Sequence, residues 1–352
     1  MKKMFALLLA LTLTLALSAC GTKTNEPADK EADSQTSDSQ TSNPPSADST
    51  SDKVFKVGVC TRAFSSPWQT YCYEVMEQEV KEKYPDIELD FQDGNEDANT
   101  QVNILQTFIQ QKKDLVIVFA NQEGTLVSAV NQVIEAGIPV INTQGWIGEG
   151  VDERMLTFVG CDDAVNGWGQ GEVLHELLGD KTEGSIILLQ ALLGTTYTTD
   201  RTAGLENYLA EKLPGVKIVA YEPEDNDNAK TVTAMQNLMT RFPAGTIDAV
   251  VVQGPHDCVA AADAAIDAGR DDLYGKFVAM DYATTVENAI KEGKVYGTVD
   301  QDPGMYGIKT MELVNAYLHG EMTADDIEDN YILEFPLVTQ KNIEEYGPAH
   351  WD

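Results

Sequence analysis

The sequence predicts an α/β protein built as two doubly wound parallel-sheet lobes. Three observations carry this. Short apolar runs alternate with amphipathic helical stretches along most of the chain. The alternation runs through once and then starts over. The body that carries it, residues 54–352, is longer than one ordinary core accommodates, so the two passes read as two lobes.

The elements follow in order. FKVGVC (55–60) is a β-rich run, followed by a loop and an amphipathic stretch over about 68–83. IELDFQD (87–93) is the second strand, and a helical pattern covers about 98–111. DLVIVFA (114–120) is apolar almost throughout, as a strand covered on both faces must be. Residues 126–136 are helical, with Gly137 as the cap. IPVINT (138–143) and MLTFVG (155–160) are the fourth and fifth strands. The second pass alternates helices at 166–178, 201–212, 230–240, 258–268 and 285–291 with SIILLQ, VKIVAYE, IDAVVVQ, KFVAMD and VYGTVDQ. The lobes then span about 54–161 and 162–301. Ligands of open α/β sheets bind outside the carboxyl ends of the strands, so two facing lobes share a cleft.

The N-terminus reads MKKMFALLLALTLTLALSAC. Lys2 and Lys3 precede an apolar run over 4–17, and Leu17-Ser18-Ala19-Cys20 closes it. The run is shorter than the roughly 20 residues of a spanning helix and ends in small residues. It resembles a bacterial lipoprotein signal, which implies cleavage after residue 19 and a diacylglycerol on Cys20. The alternative is an ordinary signal peptide with Cys20 incidental. Residues 23–52 contain no aromatic or branched aliphatic side chain. Residues 20–53 therefore read as a lipidated cysteine and a disordered spacer, with a reach on the order of 30 Å. The expected location is outside the cell, tethered to the outer face of the membrane, with no spanning segment.

Composition narrows the partners. The formal charge is −33, and removing Lys2 and Lys3 leaves 22 basic against 57 acidic residues, or −35. Nucleic acid and anionic lipid are repelled. Cys60, Cys72, Cys161 and Cys258 are scattered without a CxxC and read mostly as buried thiols, with a Cys60–Cys72 bridge left open.

No enzyme or metal motif is complete. His175-Glu176 begins like HExxH, but Gly179 stands at the second histidine. Gly167-Trp168-Gly169-Gln170-Gly171 is not GxGxxG and lies inside a helix. Asp93-Gly94-Asn95-Glu96-Asp97 starts like a calcium loop but lacks its later ligands, so it reads as a strand-to-helix turn. There is no GxSxG, and the histidines at 175, 256, 319 and 350 are dispersed. A non-enzyme without a cofactor is expected.

Six segments occur in a telling order: Ser65-Ser66-Pro67-Trp68; Gly137-Ile138-Pro139-Val140-Ile141; Leu189-Gln190 through Gly194-Thr195 to Arg201; Met235-Gln236-Asn237-Leu238; Ala279-Met280-Asp281; and Thr298-Val299-Asp300-Gln301-Asp302-Pro303. Together they resemble the exported sugar-binding proteins of bacterial ABC importers, the ribose/galactose-binding branch of the type I periplasmic binding proteins. The resemblance covers nearly all of 54–339. It implies a hinge of three crossings, near 161–164, 301–303 and 330–333. The N-lobe is then 54–161 plus 302–330, and the C-lobe 162–301 plus 331–352. It also implies a monomer that captures a sugar or sugar-like ligand for a membrane permease. The alternative is a sensor that presents its closed state to a histidine kinase or chemoreceptor.

The resemblance further implies the site. Arg201 and Asp281 supply bidentate bonds to paired hydroxyls and are expected to pair with each other. Gln301 supplies an amide, and Trp68, beside Ser66, a stacking face. Gln69 or Gln253 are alternatives to Gln301. Trp68 also reads as a core residue, Arg201 as a solvated helix start and Asp281 as an N-cap. Three departures stand out. Gln144-Gly145 replaces a polar pair often led by Asp, Asn226 stands where the C-lobe aromatic belongs, and Gln253-Gly254-Pro255-His256-Asp257 replaces an Asn-Asp loop. Trp146, Tyr197 or Tyr282 are the candidates for the missing face.

Overall fold

The computed structural model describes residues 53–352, and the readings on the signal, Cys20 and the spacer lie outside the described residues. The first pass is β1 (Phe55–Cys60), α1 (Pro67–Lys83), β2 (Ile87–Gln92), α2 (Ala98–Gln111), β3 (Leu115–Val118), α3 (Val127–Glu135), β4 (Val140–Thr143) and β5 (Thr157–Cys161). The second is α4 (Asp163–Leu178), β6 (Gly184–Gln190), α5 (Thr196–Lys212), β7 (Val216–Pro223), α6 (Asn228–Arg241), β8 (Ala249–Val252), α7 (Pro255–Asp267), β9 (Phe277–Met280), α8 (Thr284–Lys291) and β10 (Val295–Val299). The chain closes with α9 (Pro303–Leu318), β11 (Asn330–Leu333), β12 (Leu337–Thr339) and α10 (Ile343–Tyr346). Aspartates start four of these helices: Asp97, Asp162, Asp227 and Asp302 each accept a backbone N–H of the first turn.

Two six-stranded sheets result, ordered β11-β5-β4-β3-β1-β2 and β12-β10-β9-β8-β6-β7. All neighbours are parallel except β12 on β10. The inner strands β3, β8 and β9 are buried along their whole length, which explains their unbroken apolar runs.

The chain passes between the sheets three times. The first passage follows β5, and the second, at 300–302, leads into α9, which packs on α1, β4 and β5. The third lies elsewhere than expected. β11 is a strand of the N-lobe sheet, with Asn330 opposite Phe158 and Leu333 opposite Cys161. The C-lobe therefore resumes at β12, and residues 331–333 belong with the N-lobe. A short β-rich run at a lobe boundary fits either sheet, and only pairing with β5 decides it.

The two lobes repeat each other in detail. Gln144 follows β4 with φ 70° and donates its N–H to Val159 O at 2.8 Å; Asp281 follows β9 with φ 67° and donates to Val299 O at 2.8 Å. The turns after β2 and β7 each place two residues in the left-handed region, Asn95-Glu96 and Asp225-Asn226. The Asp93–Asp97 segment is thus the strand-to-helix turn expected of it.

The glycine-rich stretch also has a structural reason. A Cβ on Gly167 would lie 2.0 Å from Arg201 O, and one on Gly204 2.0 Å from Ala164 O. The α4 and α5 backbones touch there. We expect Gly167→Ala and Gly204→Ala each to destabilise the protein by about 1–3 kcal/mol through overpacking. Urea unfolding tests this, and parent-like midpoints in both would contradict it.

Candidate functional site

The strand ends bring most of the expected residues to the junction of the lobes. Arg201 sits in the second turn of α5 and is 6% exposed. Its Nε donates to Asp163 Oδ1 at 2.8 Å, its Nη2 to Gln301 Oε1 at 2.8 Å and its Nη1 to Gln253 O at 3.3 Å. Its guanidinium lies 5.2 Å from the centre of the Tyr197 ring. Three of five N–H donors are thus held by protein, and one on each terminal nitrogen remains. Burial opposes its charge, but the nearby Asp163 and Asp281 carboxylates hold it firmly protonated.

The expected Arg201–Asp281 pair is not formed. Arg201 pairs with Asp163 instead, from the first turn of α4. Asp281 is 8% exposed, and its Oδ1 is buried with no hydrogen-bond partner. Burial pushes its carboxyl up to about 7; Arg201 pulls it down, and Asp300 and Asp163 push it further up.

Gln301 is the hub of the second crossing. Its Oε1 takes Arg201, its Nε2 donates to Tyr306 OH at 2.8 Å and to Cys161 Sγ at 3.1 Å, and its carbonyl accepts Trp68 Nε1 at 3.0 Å. Its amide is fully engaged, so it positions Arg201 and Trp68. Trp68 is buried in the N-lobe apolar cluster, edge-on to Tyr306 at 5.2 Å. Ser66 precedes α1 half-buried, without a side-chain cap bond.

The remaining candidates divide. Gln69 accepts from Ala63 N–H and Tyr73 OH and reaches Gln144 Oε1 at 3.5 Å, so it braces the loop after β1 and touches the Gln144 amide. Gln253 is corrected to a brace inside the C-lobe. Its Oε1 takes Ala191 N–H, and its Nε2 donates to Thr202 Oγ1 at 3.0 Å and Thr198 O. Asn226 is exposed and donates to Tyr197 OH at 3.1 Å, so Tyr197 joins Arg201 and Asn226 on the C-lobe face. Trp146 stands edge-on to Phe158 at 5.3 Å, tied to the N-lobe sheet. Tyr282 is excluded as a cleft face: it is 2% exposed, and its hydroxyl donates to Gly347 O.

Sequence reasoning missed three residues. Asp163 is the second of two adjacent aspartates, and only the first, Asp162, looks like a cap. Arg62, after β1, has a buried Nε without a partner. Glu123, after β3, accepts Thr196 Oγ1 of the other lobe at 3.0 Å. No local signal distinguishes these from surface charges.

Cys60, Cys72, Cys161 and Cys258 are free thiols, and the Cys60–Cys72 bridge is not formed. Burial pushes the Cys60 and Cys161 thiols up to about 12, far from thiolate reactivity. Among the described residues no histidine, cysteine and carboxylate group is arranged to hold a metal. A buried cation with two N–H groups to spare, a buried carboxylate with an unpaired oxygen and the Tyr197 ring beside the guanidinium suit a molecule of paired hydroxyls and C–H surface.

Asp281 gives a stability prediction. The folded carboxyl keeps its proton to about pH 7, whereas an unfolded one releases it near 4. Its contribution is therefore full below about pH 4 and is lost as pH rises through about 7. We expect Asp281→Asn to be more stable than the parent at pH 8 by at least about 1 kcal/mol, at 1.36 kcal/mol per pKa unit. The advantage should shrink steadily toward pH 5. A difference that is flat from pH 5 to 8 in urea unfolding would speak against it.

Comparison with known proteins bears on the family. The family model described as a periplasmic binding protein domain matches residues 57–322. The chain is 25% identical to the ribose import binding protein of Bacillus subtilis over 284 residues, 80% of this chain and 88% of the relative. It is 28% identical to a xylitol-binding protein of Mycolicibacterium smegmatis over 262 residues, 74% of this chain and 71% of the relative. An ABC transporter solute binding protein from Bacillus halodurans with bound myo-inositol superposes with a TM-score of 0.73 at 28% identity, covering 85% of this chain and 99% of its own. The two sheets, the three passages between them and the family match agree, and the chain belongs to the periplasmic binding protein family.

Proposed function

We propose that this protein is the extracytoplasmic solute-binding component of an ABC importer and that its cleft captures a neutral sugar or polyol. One observation carries the ligand class: Arg201 and Asp281 are both buried at the junction of the lobes, with two N–H groups and one carboxylate oxygen free to meet hydroxyls. The relatives' names support it, since ribose, xylitol and myo-inositol are all uncharged and polyhydroxylated. Asp163 and Asp281 beside the guanidinium, with Asp300 beside Asp281, disfavour an acidic sugar. Cys20 and the residues before it support a lipid tether to the outer face of the membrane, and a single copy carries the whole cleft. Binding energy from both lobes favours the closed arrangement, in which Glu123 meets Thr196.

The test is a thermal-shift screen of D-ribose, xylitol, myo-inositol and D-allose, with D-glucuronate as the acidic control, followed by calorimetry. We expect at least one neutral compound to bind and D-glucuronate not to. Arg201→Ala should weaken that binding at least about tenfold, which corresponds to about 1.4 kcal/mol. Binding of D-glucuronate alone, or parent-like affinity in Arg201→Ala, would overturn the reading.

A further inference from the structure

The Arg201–Asp163 pair is at odds with the simplest use of the site. A buried carboxylate beside a guanidinium ordinarily takes it as its own partner, because an unpaired buried charge is unfavourable. Here the guanidinium forms its ion pair with Asp163, and Asp281 acts on it only as a nearby charge without a hydrogen bond. Asp163 Oδ1 holds Nε at 2.8 Å, Gln301 Oε1 holds Nη2 at 2.8 Å, and Gln253 O holds Nη1 at 3.3 Å. The Tyr197 ring covers the group from one side at 5.2 Å. The backbone supports this arrangement. Asp162 caps α4 with its own side chain, leaving the Asp163 side chain for Arg201. Gly167 and Gly204 let α4 and α5 approach until their backbones touch, which brings residue 163 within reach of residue 201.

We propose that Asp163 is a positioning residue that withholds Arg201 from Asp281, so that the Asp281 carboxylate stays unpaired and available to the bound molecule. This rests on the reading of the cleft as a sugar or polyol site and adds to it a residue and a control. If Arg201 and Asp281 closed on each other, an incoming pair of hydroxyls would have to break that ion pair before binding. Asp163 removes the competition beforehand, which is preorganisation.

The arrangement also makes the site sensitive to pH near neutrality. Facing Asp281 are Arg201 from α5, Asp300 from the second crossing and Asp163 from α4. Asp300 itself accepts Tyr346 OH at 2.7 Å, and Asp302 and His350 lie near it. Deprotonated Asp281 accepts two hydroxyl hydrogen bonds, and the neutral form accepts fewer and weaker ones. Affinity therefore falls as pH drops through the Asp281 midpoint.

The decisive measurement needs no ligand. Carboxyl carbon NMR follows the titration of Asp281, assigned through Asp281→Asn, in the parent, Asp163→Asn and Asp163→Glu. We expect a parent midpoint near pH 7, as burial without a partner requires. Asp163→Asn frees Arg201 and deletes a neighbouring negative charge, so its midpoint should fall by at least about one unit, within the range of about 1–3 for a carboxylate gaining an arginine. Asp163→Glu keeps the charge and should stay close to the parent. A parent midpoint at the ordinary aspartate value, or an unmoved midpoint in a folded Asp163→Asn, overturns the proposal. The parent titration decides it even where Asp163→Asn does not fold.

A second arm uses whichever of D-ribose, xylitol and myo-inositol binds the parent most tightly. At pH 8 we expect Asp163→Asn to bind it about tenfold more weakly. Between pH 6 and 8 its affinity should be nearly flat, while that of the parent rises. Unchanged affinity with an unchanged pH profile overturns the positioning role. If none of the three binds the parent, the sugar reading fails, and the NMR arm still decides the ion-pair partition.

Discussion

The buried guanidinium of Arg201 is the constraint on which the rest of this molecule turns. It is a full positive charge with almost no access to water, so each N–H it carries must meet an acceptor. The acceptors come from three places: Asp163 at the first crossing, Gln301 at the second and Gln253 at the end of the strand run in the C-lobe. Gln301 passes the constraint on, holding Trp68, Tyr306 and Cys161 of the N-lobe side. One side chain thus links both early crossings to both lobes. A molecule that binds its two remaining N–H groups acts directly on the hinge.

The same junction shows a balance between stability and function. Asp281 sits buried with an unpaired oxygen. Asp300 is pushed up to about 6 by burial, against the bond from Tyr346. Deeper in the C-lobe, burial and the adjacent Asp257 push Glu224 upward as well. A protein selected only for stability would fill such positions with apolar groups or pair them fully. Buried carboxylate oxygens of Glu79, Glu224 and Asp281 lack a hydrogen-bond partner, and of these Asp281 is the one at the junction of the lobes beside Arg201. Gln144 and Asp281 occupy matching positions after β4 and β9, both in the left-handed region. The repeat supplies two equivalent backbone platforms, one carrying the neutral Gln144 and the other the carboxyl of Asp281.

Much of the architecture was legible because it is encoded locally. Alternating apolar runs and amphipathic helices report burial on one or two faces, and each of the ten strands expected between residues 55 and 301 is present. Aspartates before Thr100, Ala164, Ala229 and Gly304 start helices for reasons contained in their own first turns. Arg201, in the second turn of α5, was identifiable only through the family resemblance, whereas Asp281 and Gln301 each stand just beyond a strand, where loops of both lobes converge. Gln253 was misread for the same reason: its position after β8 is right for a cleft, but its amide meets Thr198 and Thr202 of α5 first.

The sequence by itself determined the two α/β passes and the set of polar residues at the strand ends, because periodicity acts within a few residues. Helix starts were less legible, with α4 beginning at Asp163 rather than Asn166 and α5 at Thr196 rather than Arg201. Only the tertiary structure decided how those residues pair. Arg201 and Asp163 are 38 positions apart, and Arg201 and Gln301 are 100 apart. Which carboxylate the arginine takes depends on how closely α4 and α5 approach, and that is set by two glycines on different helices. The assignment of β11 has the same cause: four residues with no distinctive pattern join the N-lobe because β5 offers them an open edge. Pairing across a fold is a property of geometry, and a linear pattern of burial does not contain it.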